Sequence, residues 1–134
     1  MTITRICPLD PFDPEPAVLE EAASALSGGG LVAFPTETFY GLGANALDSQ
    51  AVGRVFQVKG RPESKPLLVL VDSVKMAESL TLEVSDLARR LMATYWPGPL
   101  TLVFKAAPEL PAELTAGTGT VGIRMPRDPV ALGL

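Results

Sequence analysis

Four short apolar runs constrain the fold of this 134-residue chain more than any other feature of its sequence. They cover residues 31–34, 67–71, 100–104 and 120–124. Runs of this length are typical of strands, and the segments between them carry apolar residues at helical spacing. This alternation predicts an α/β or α+β fold with an open, twisted, mixed sheet flanked by helices. Because no repeat or long linker interrupts the pattern, residues 1–134 are expected to form one domain.

Start signals indicate where the helices begin. Pro16 suits a first helical turn, where its missing N–H costs nothing, and Asp48 or Ser49 can cap the next helix. A third helix is expected over residues 73–80 and a longer one over residues 84–95. These predictions place a helix before or after each apolar run.

The same patterns predict which residues are buried. The unbroken apolar run 67–71 suits a strand that is covered on both faces. In the helix over residues 84–95, Leu87, Ala88, Leu91 and Tyr95 are expected to face inward. Residues 108–119, rich in glycine, threonine and proline, are predicted to form a loop.

Composition excludes several classes of site. The chain has no histidine, so a histidine metal site and a Ser–His or Cys–His dyad cannot be built. Its single cysteine, Cys7, cannot form an internal disulfide, which favours a cytoplasmic location. No apolar run approaches the roughly 20 residues of a membrane helix. The net charge of −4 argues against a dedicated nucleic-acid binder, which usually carries a basic surplus.

A basic loop follows the second predicted helix. Lys59, Arg61 and Lys65 place three cations within it. Arginine offers a planar fork that matches phosphate, and lysine offers a compact charge. The loop therefore indicates a phosphate site, although a solvated turn neutralised by Glu63 explains the pattern equally well. No Walker phosphate loop is present.

Two further clusters indicate a small-molecule site. Thr36, Thr38 and Tyr40 alternate along a segment that is expected to be extended, so their side chains should share a face. Their hydroxyls could hold a ligand or could satisfy nearby backbone groups. Arg124 ends an apolar strand, where its fork could clamp a carboxylate. Glu37 and Asp48 do not form a convincing pair of acids, and no metal-ligand spacing occurs.

The ordered set of motifs resembles the YrdC-like family of threonylcarbamoyl-adenylate synthases. The matching segments are FPTETFYGLGANA at 34–46, FQVKGRP at 56–62, YWPGPLT at 95–101, TAG at 115–117 and VGIRMP at 121–126. They occur in the family's order and with its spacing, over nearly the whole chain. The resemblance implies the family's α/β sheet around a concave, positively charged cavity.

The resemblance also implies a reaction. L-threonine, bicarbonate or CO2, and ATP, which brings Mg²⁺ with it, would give threonylcarbamoyl-AMP and pyrophosphate. The product would pass to the proteins that form threonylcarbamoyladenosine in tRNA. Two alternatives stay open at this point: an RNA-binding module of the same fold, and a catalytically inactive fragment of the synthase.

The family pattern assigns roles to six residues. Thr38 and Arg124 would bind L-threonine. Lys59 and Arg61 would be catalytic and, with Lys65 and Thr120, would bind ATP.

The chain departs from the family pattern at two places. Leu70 stands where many relatives carry a histidine on the threonine side of the pocket. Family members also continue beyond residue 134 with a strand and a Ser-Ala-Asn turn, so the chain is expected to be truncated at its C-terminus. An exposed sheet edge is then expected, through which two chains could associate.

Overall fold

A computed structural model of the chain describes residues 3–60 and 65–134. The elements in chain order are α1 (Pro16–Ser27), β1 (Val32–Phe34), β2 (Gly41–Gly43), α2 (Ser49–Lys59), β3 (Leu68–Leu70), α3 (Val74–Ser79), α4 (Asp86–Tyr95), β4 (Leu102–Lys105), α5 (Ala112–Thr115), β5 (Thr120–Arg124) and α6 (Pro129–Gly133). Within these two ranges, no helix is both long and apolar enough to cross a membrane.

The strands form two small sheets. β1 and β2 are an antiparallel hairpin in which Val32 lies opposite Gly43 and Phe34 lies opposite Gly41. The other sheet has the order β3-β5-β4, with β5 parallel to β3 and antiparallel to β4. A strand forms within each of the four apolar runs, and the predicted mixed sheet with flanking helices is confirmed.

β5 separates the core from the open face of the three-stranded sheet. Val121 and Ile123 are 1% and 0% exposed and pack in the core. Because side chains alternate along a strand, Thr120, Gly122 and Arg124 lie on the opposite face. The core residues come from helices and strands alike and include Val52, Phe56, Val69, Met92, Trp96, Phe104 and Leu114.

α2 is held at both ends by its sequence. The Asp48 side chain accepts hydrogen bonds from the backbone N–H groups of Gln50 and Ala51, at 3.0 and 3.1 Å. These bonds satisfy donors that a helix start leaves unpaired. At the other end Gly60 adopts the left-handed conformation (φ 61°), which ends the helix directly after Lys59. The predicted start of this helix is confirmed.

The predicted inner face of α4 is only partly correct: Ala88 packs against the core and Leu91 is half-buried, whereas the other two predicted residues are exposed. Leu87 and Tyr95 are 66% and 53% exposed. Met92 and Trp96 are buried instead, since the core contacts the helix face that runs through these two residues. The apolar residues of this helix form one face, and the core contacts only the side of that face that carries Ala88, Met92 and Trp96.

Two other expectations are corrected. β3 is covered on one face only, because Val69 and Val71 are buried whereas Leu68 is 44% exposed on the open face of the sheet. The predicted loop over residues 108–119 contains the short helix α5, whose Leu114 is 2% exposed and packs in the core. Burial of this side chain explains why a helical turn forms in a segment rich in loop residues.

Candidate active site

A cavity of about 740 Å³ lies between the β1–β2 hairpin, α2 and the three-stranded sheet. Apolar side chains form much of its wall. Its polar lining includes Thr36, Thr38, Asn45, Lys59, Asp72 and Arg124. Three of the residues predicted from sequence, namely Thr38, Lys59 and Arg124, are therefore brought together around one cavity.

The loop between β1 and β2 turns sharply where an extended segment was expected. The Thr36 hydroxyl donates to the Phe39 carbonyl at 2.5 Å and accepts from the Thr38 backbone N–H at 3.2 Å. These bonds close a turn, so the extended conformation predicted for this segment is wrong. The Thr36 and Thr38 hydroxyls still meet, at 3.2 Å, and both residues line the cavity. The Thr36 hydroxyl satisfies local backbone groups, which leaves the Thr38 hydroxyl as the better ligand contact.

Arg124 is held at the end of β5 with its guanidinium largely buried. Its side chain is 13% exposed, and its Nε is buried without a hydrogen-bond partner among the described residues. Its Nη2 lies 3.7 Å from Oε1 of Glu37. This distance exceeds the roughly 2.7–2.9 Å of a charge-assisted hydrogen bond, so the pair attracts without using up the donors of Arg124. A buried, unpaired donor is costly, and a carboxylate ligand would satisfy it.

The predicted basic loop is only partly described. Lys59 ends α2, is exposed and lines the cavity. Lys65 is exposed and does not contribute to the lining. Arg61, together with its neighbour Glu63, lies outside the described residues. The convergence of Lys59 with Arg124 is thus observed, and the roles of Arg61 and Lys65 stay predictions.

Thr120 faces a second, smaller cavity of about 290 Å³. Its hydroxyl lies 2.9 Å from that of Thr118. Thr101 and Gly122 also line this cavity, and Leu68 lines both cavities. The two cavities therefore adjoin at β3, the strand that contains Leu68. Thr120 and Arg124 are four positions apart on β5, which corresponds to about 13 Å along a strand.

Sequence reasoning missed two acidic groups. Glu37 was set aside because it lacked an acidic partner, whereas its structural partner is a cation on a distant strand. Asp72 directly follows the apolar run that contains β3, and it lines the cavity. The position of Asp72 at a strand end was a usable signal, since strand ends often carry site residues. Leu70 also lines the cavity and pairs with Arg124 across the sheet, which is where the family's histidine was expected.

The arrangement can bind anions of two kinds. Arg124 offers a buried planar fork that suits a carboxylate, and Lys59 offers an exposed charge that suits phosphate. Across residues 3–60 and 65–134, no cluster of three or more acidic or cysteine side chains could hold a metal ion. Arg124 and Lys59 can neutralise the charge of bound anions and position them.

Comparisons with known proteins agree on one family. The family model Sua5_yciO_yrdC, described as "Telomere recombination", matches residues 24–134. A threonylcarbamoyl-AMP synthase of Pyrococcus abyssi is 49% identical over 113 residues, which are 84% of this chain and 33% of that protein. A threonylcarbamoyl-AMP synthase of Bacillus subtilis is 46% identical over 117 residues, 87% of this chain and 34% of that protein. The chain thus spans about a third of the length of these two curated relatives.

A solved structure supports the same assignment. The crystal structure of P. abyssi Sua5 complexed with L-threonine superposes with a TM-score of 0.88 at 45% identity. The match covers 90% of this chain and 36% of that one. Together with the family model, which matches most of the sequence, this similarity is decisive for the fold and the family. The chain belongs to the Sua5/YciO/YrdC family.

Proposed function

We propose that the protein is an L-threonylcarbamoyladenylate synthase, a nucleotidyltransferase that converts L-threonine, bicarbonate or CO2, and ATP to threonylcarbamoyl-AMP and pyrophosphate. The relatives named for this activity are longer than this chain, so their names alone do not decide the matter. The observation that carries the proposal is the buried Arg124 guanidinium, whose Nε has no hydrogen-bond partner among residues 3–60 and 65–134, on the cavity that Thr38 and Lys59 also line.

The threonine end of the site would be formed by Arg124 and Thr38. The Arg124 fork would bind the α-carboxylate, since both Nε and one Nη can donate to the two carboxylate oxygens. Thr38 would contact the same ligand through its hydroxyl, which lies on the hairpin side of the cavity. Leu70 would give this end of the pocket an apolar wall, where a histidine could have donated a hydrogen bond.

The nucleotide end would be formed by the basic loop and the second cavity. Lys59 and Arg61 would contact the phosphates and would also be the catalytic residues, because charge develops there in the transition state. Lys65 and Thr120 would complete the ATP site. ATP would enter as its Mg²⁺ complex, with phosphate oxygens and water as the main ligands of the ion. The adjoining cavities offer a continuous surface for ATP and threonine together.

The chemistry needs little acid–base help from side chains. The neutral amine of threonine attacks the carbon of CO2 and loses a proton, which gives a carbamate. A carbamate oxygen then attacks the α-phosphorus of ATP, and the bond to pyrophosphate breaks. Positioning of the two substrates and neutralisation of the phosphate charge would supply the rate enhancement.

The product would be consumed by proteins that transfer the threonylcarbamoyl group to an adenosine of tRNA. Such transfer implies a cytoplasmic location, where tRNA is available. Self-association through the sheet is also proposed, since β3 lies at one edge of the three-stranded order.

Pyrophosphate release tests the proposed reaction. We expect release from ATP only when threonine and bicarbonate are both present. Replacement of Lys59 by alanine should lower the rate by about 10²-fold or more, which is typical of losing one group that stabilises transition-state charge. Lys75→Ala is the matched control, because Lys75 is an exposed lysine on α3 outside the cavity lining.

Three results would contradict the proposal. Release that continues without threonine would indicate a simple ATPase. A rate that is unchanged by Lys59→Ala would remove the assigned catalytic lysine. Binding of RNA in place of any pyrophosphate release would favour the RNA-binding alternative.

A further inference from the structure

Glu37 places a negative charge beside Arg124, at the end of the cavity that is proposed to bind threonine. The proposed reaction does not itself require this negative charge. The Glu37 side chain is 24% exposed, and its carboxylate lies 3.7 Å from Arg124. Glu37 is not itself part of the cavity lining, whereas its neighbours Thr36 and Thr38 are. The carboxylate therefore approaches the guanidinium from beside the ligand space.

The spacing of this pair leaves Arg124 free to bind a ligand. A carboxylate in direct contact would occupy the guanidinium donors and would compete with any ligand carboxylate. At 3.7 Å the interaction is electrostatic only, and Nε keeps its donor available. The charges of the pair thus offset each other, while Nε of Arg124 has no hydrogen-bond partner in the part of the chain that the structure describes.

We propose that Glu37 makes this site selective for a zwitterionic α-amino acid over a simple carboxylate. The proposal rests on the proposed function and adds the residue that recognises the charge of the α-ammonium. Because Glu37 lies 3.7 Å from the same guanidinium, a carboxylate held on Arg124 would have its α-substituent within reach of the charge of Glu37. An ammonium there is attracted by Glu37, whereas an uncharged substituent gains nothing.

Asp72 is the competing acid. It lines the cavity, as do Lys59 and Tyr40, the other titratable side chains of the lining apart from Arg124. Asp72 is exposed and forms no ion pair with a described residue. Glu37 is the stronger candidate, because its carboxylate is the one that lies 3.7 Å from the guanidinium expected to hold the ligand carboxylate, and attraction between charges falls with distance.

The test compares two ligands that differ only in the group at Cα. L-threonine carries an ammonium, whereas 3-hydroxybutyrate has the same carboxylate and hydroxyl without it. Calorimetry gives the ratio of their dissociation constants for each variant. Effects on carboxylate binding cancel in this ratio, so it reports only how the protein recognises the ammonium.

We expect the wild-type protein to prefer threonine and Glu37→Gln to lose about tenfold of that preference, as a charge a few ångströms away implies. Glu37→Asp keeps the charge and should keep most of the preference, which separates charge from loop structure. Glu109→Gln is the control, because Glu109 is an exposed acid outside both cavities.

Three outcomes would overturn this inference without overturning the proposed function. The first two are an unchanged ratio in Glu37→Gln and a ratio that falls only in Asp72→Asn. The third is a wild-type protein that binds threonine no better than 3-hydroxybutyrate. By contrast, a wild-type protein that binds neither ligand would overturn the proposed function as well. Pyrophosphate release that needs threonine, together with an unchanged ratio, would leave the function standing and reject the role of Glu37.

Discussion

Two neighbouring residues of β5 offer a direct test of how this strand divides core from cavity. Ile123 is 0% exposed and packs in the core. Replacement by alanine removes three buried carbon atoms, which are worth about 2.4 kcal/mol of transfer free energy at about 0.8 kcal/mol each. The cavity left behind adds about 1 kcal/mol, so Ile123→Ala should lower the free energy of unfolding by about 3–4 kcal/mol.

Gly122→Ala on the same strand should have a much smaller effect. A Cβ at this position would lie 3.4 Å from Cγ2 of Thr101 and 3.9 Å from Cδ1 of Leu68, which are contacts that small side-chain shifts accommodate. Alanine also restricts the unfolded chain, which favours folding by about 0.4–1 kcal/mol where the backbone permits it. We therefore expect a change of between about 0 and 1 kcal/mol in favour of the folded state.

Urea denaturation followed by the fluorescence of Trp96 measures both changes. The midpoint should fall steeply for Ile123→Ala and should stay level or rise for Gly122→Ala, with similar slopes. Comparable losses of unfolding free energy in the two variants would refute the alternation of buried and open-face side chains along β5. A loss confined to Gly122→Ala would place the core on the other face of the sheet.

Two further substitutions test single contacts. Arg124→Lys keeps the positive charge but loses the planar fork. In steady-state assays KM for threonine should therefore rise about tenfold, while KM for ATP should change little. Equal effects on the two KM values would contradict a threonine-specific role. Trp96→Phe removes the hydrogen bond from the indole Nε1 to the Leu100 carbonyl, which measures 2.7 Å. It should cost about 1–2 kcal/mol of unfolding free energy in urea, and a neutral result would show that this bond is replaced by water.

The strands of the three-stranded sheet could be predicted from the sequence because each is a short apolar run between breaking residues. β2 could not, since its Gly41 and Gly43 have little strand preference of their own. These glycines face β1 instead, where the Phe34 ring lies so close that a Cβ at Gly43 would approach it to 2.7 Å. Tertiary packing, which no local pattern reports, therefore fixes the second strand of the hairpin.

The sequence predicts those residues of the candidate site whose charge is unusual for their place in a strand or helix. Arg124 at a strand end and Lys59 at a helix end are unusual enough in their surroundings to indicate ligands. Glu37 was not recognised, because its role depends on a partner that only the fold brings near. The exposure of Leu87 was also missed, because the periodicity identifies the apolar face of α4 but not how much of that face the core covers.

The most direct test of the central claim is the fate of the bicarbonate carbon. The protein is incubated with ATP, L-threonine and ¹³C-bicarbonate, and the adenylates are analysed by mass spectrometry. We predict an adenylate that contains threonine and a single labelled carbon, and that is absent when threonine is omitted. An adenylate formed without the label, or the absence of any threonine-containing adenylate from an otherwise folded protein, would contradict the proposed reaction.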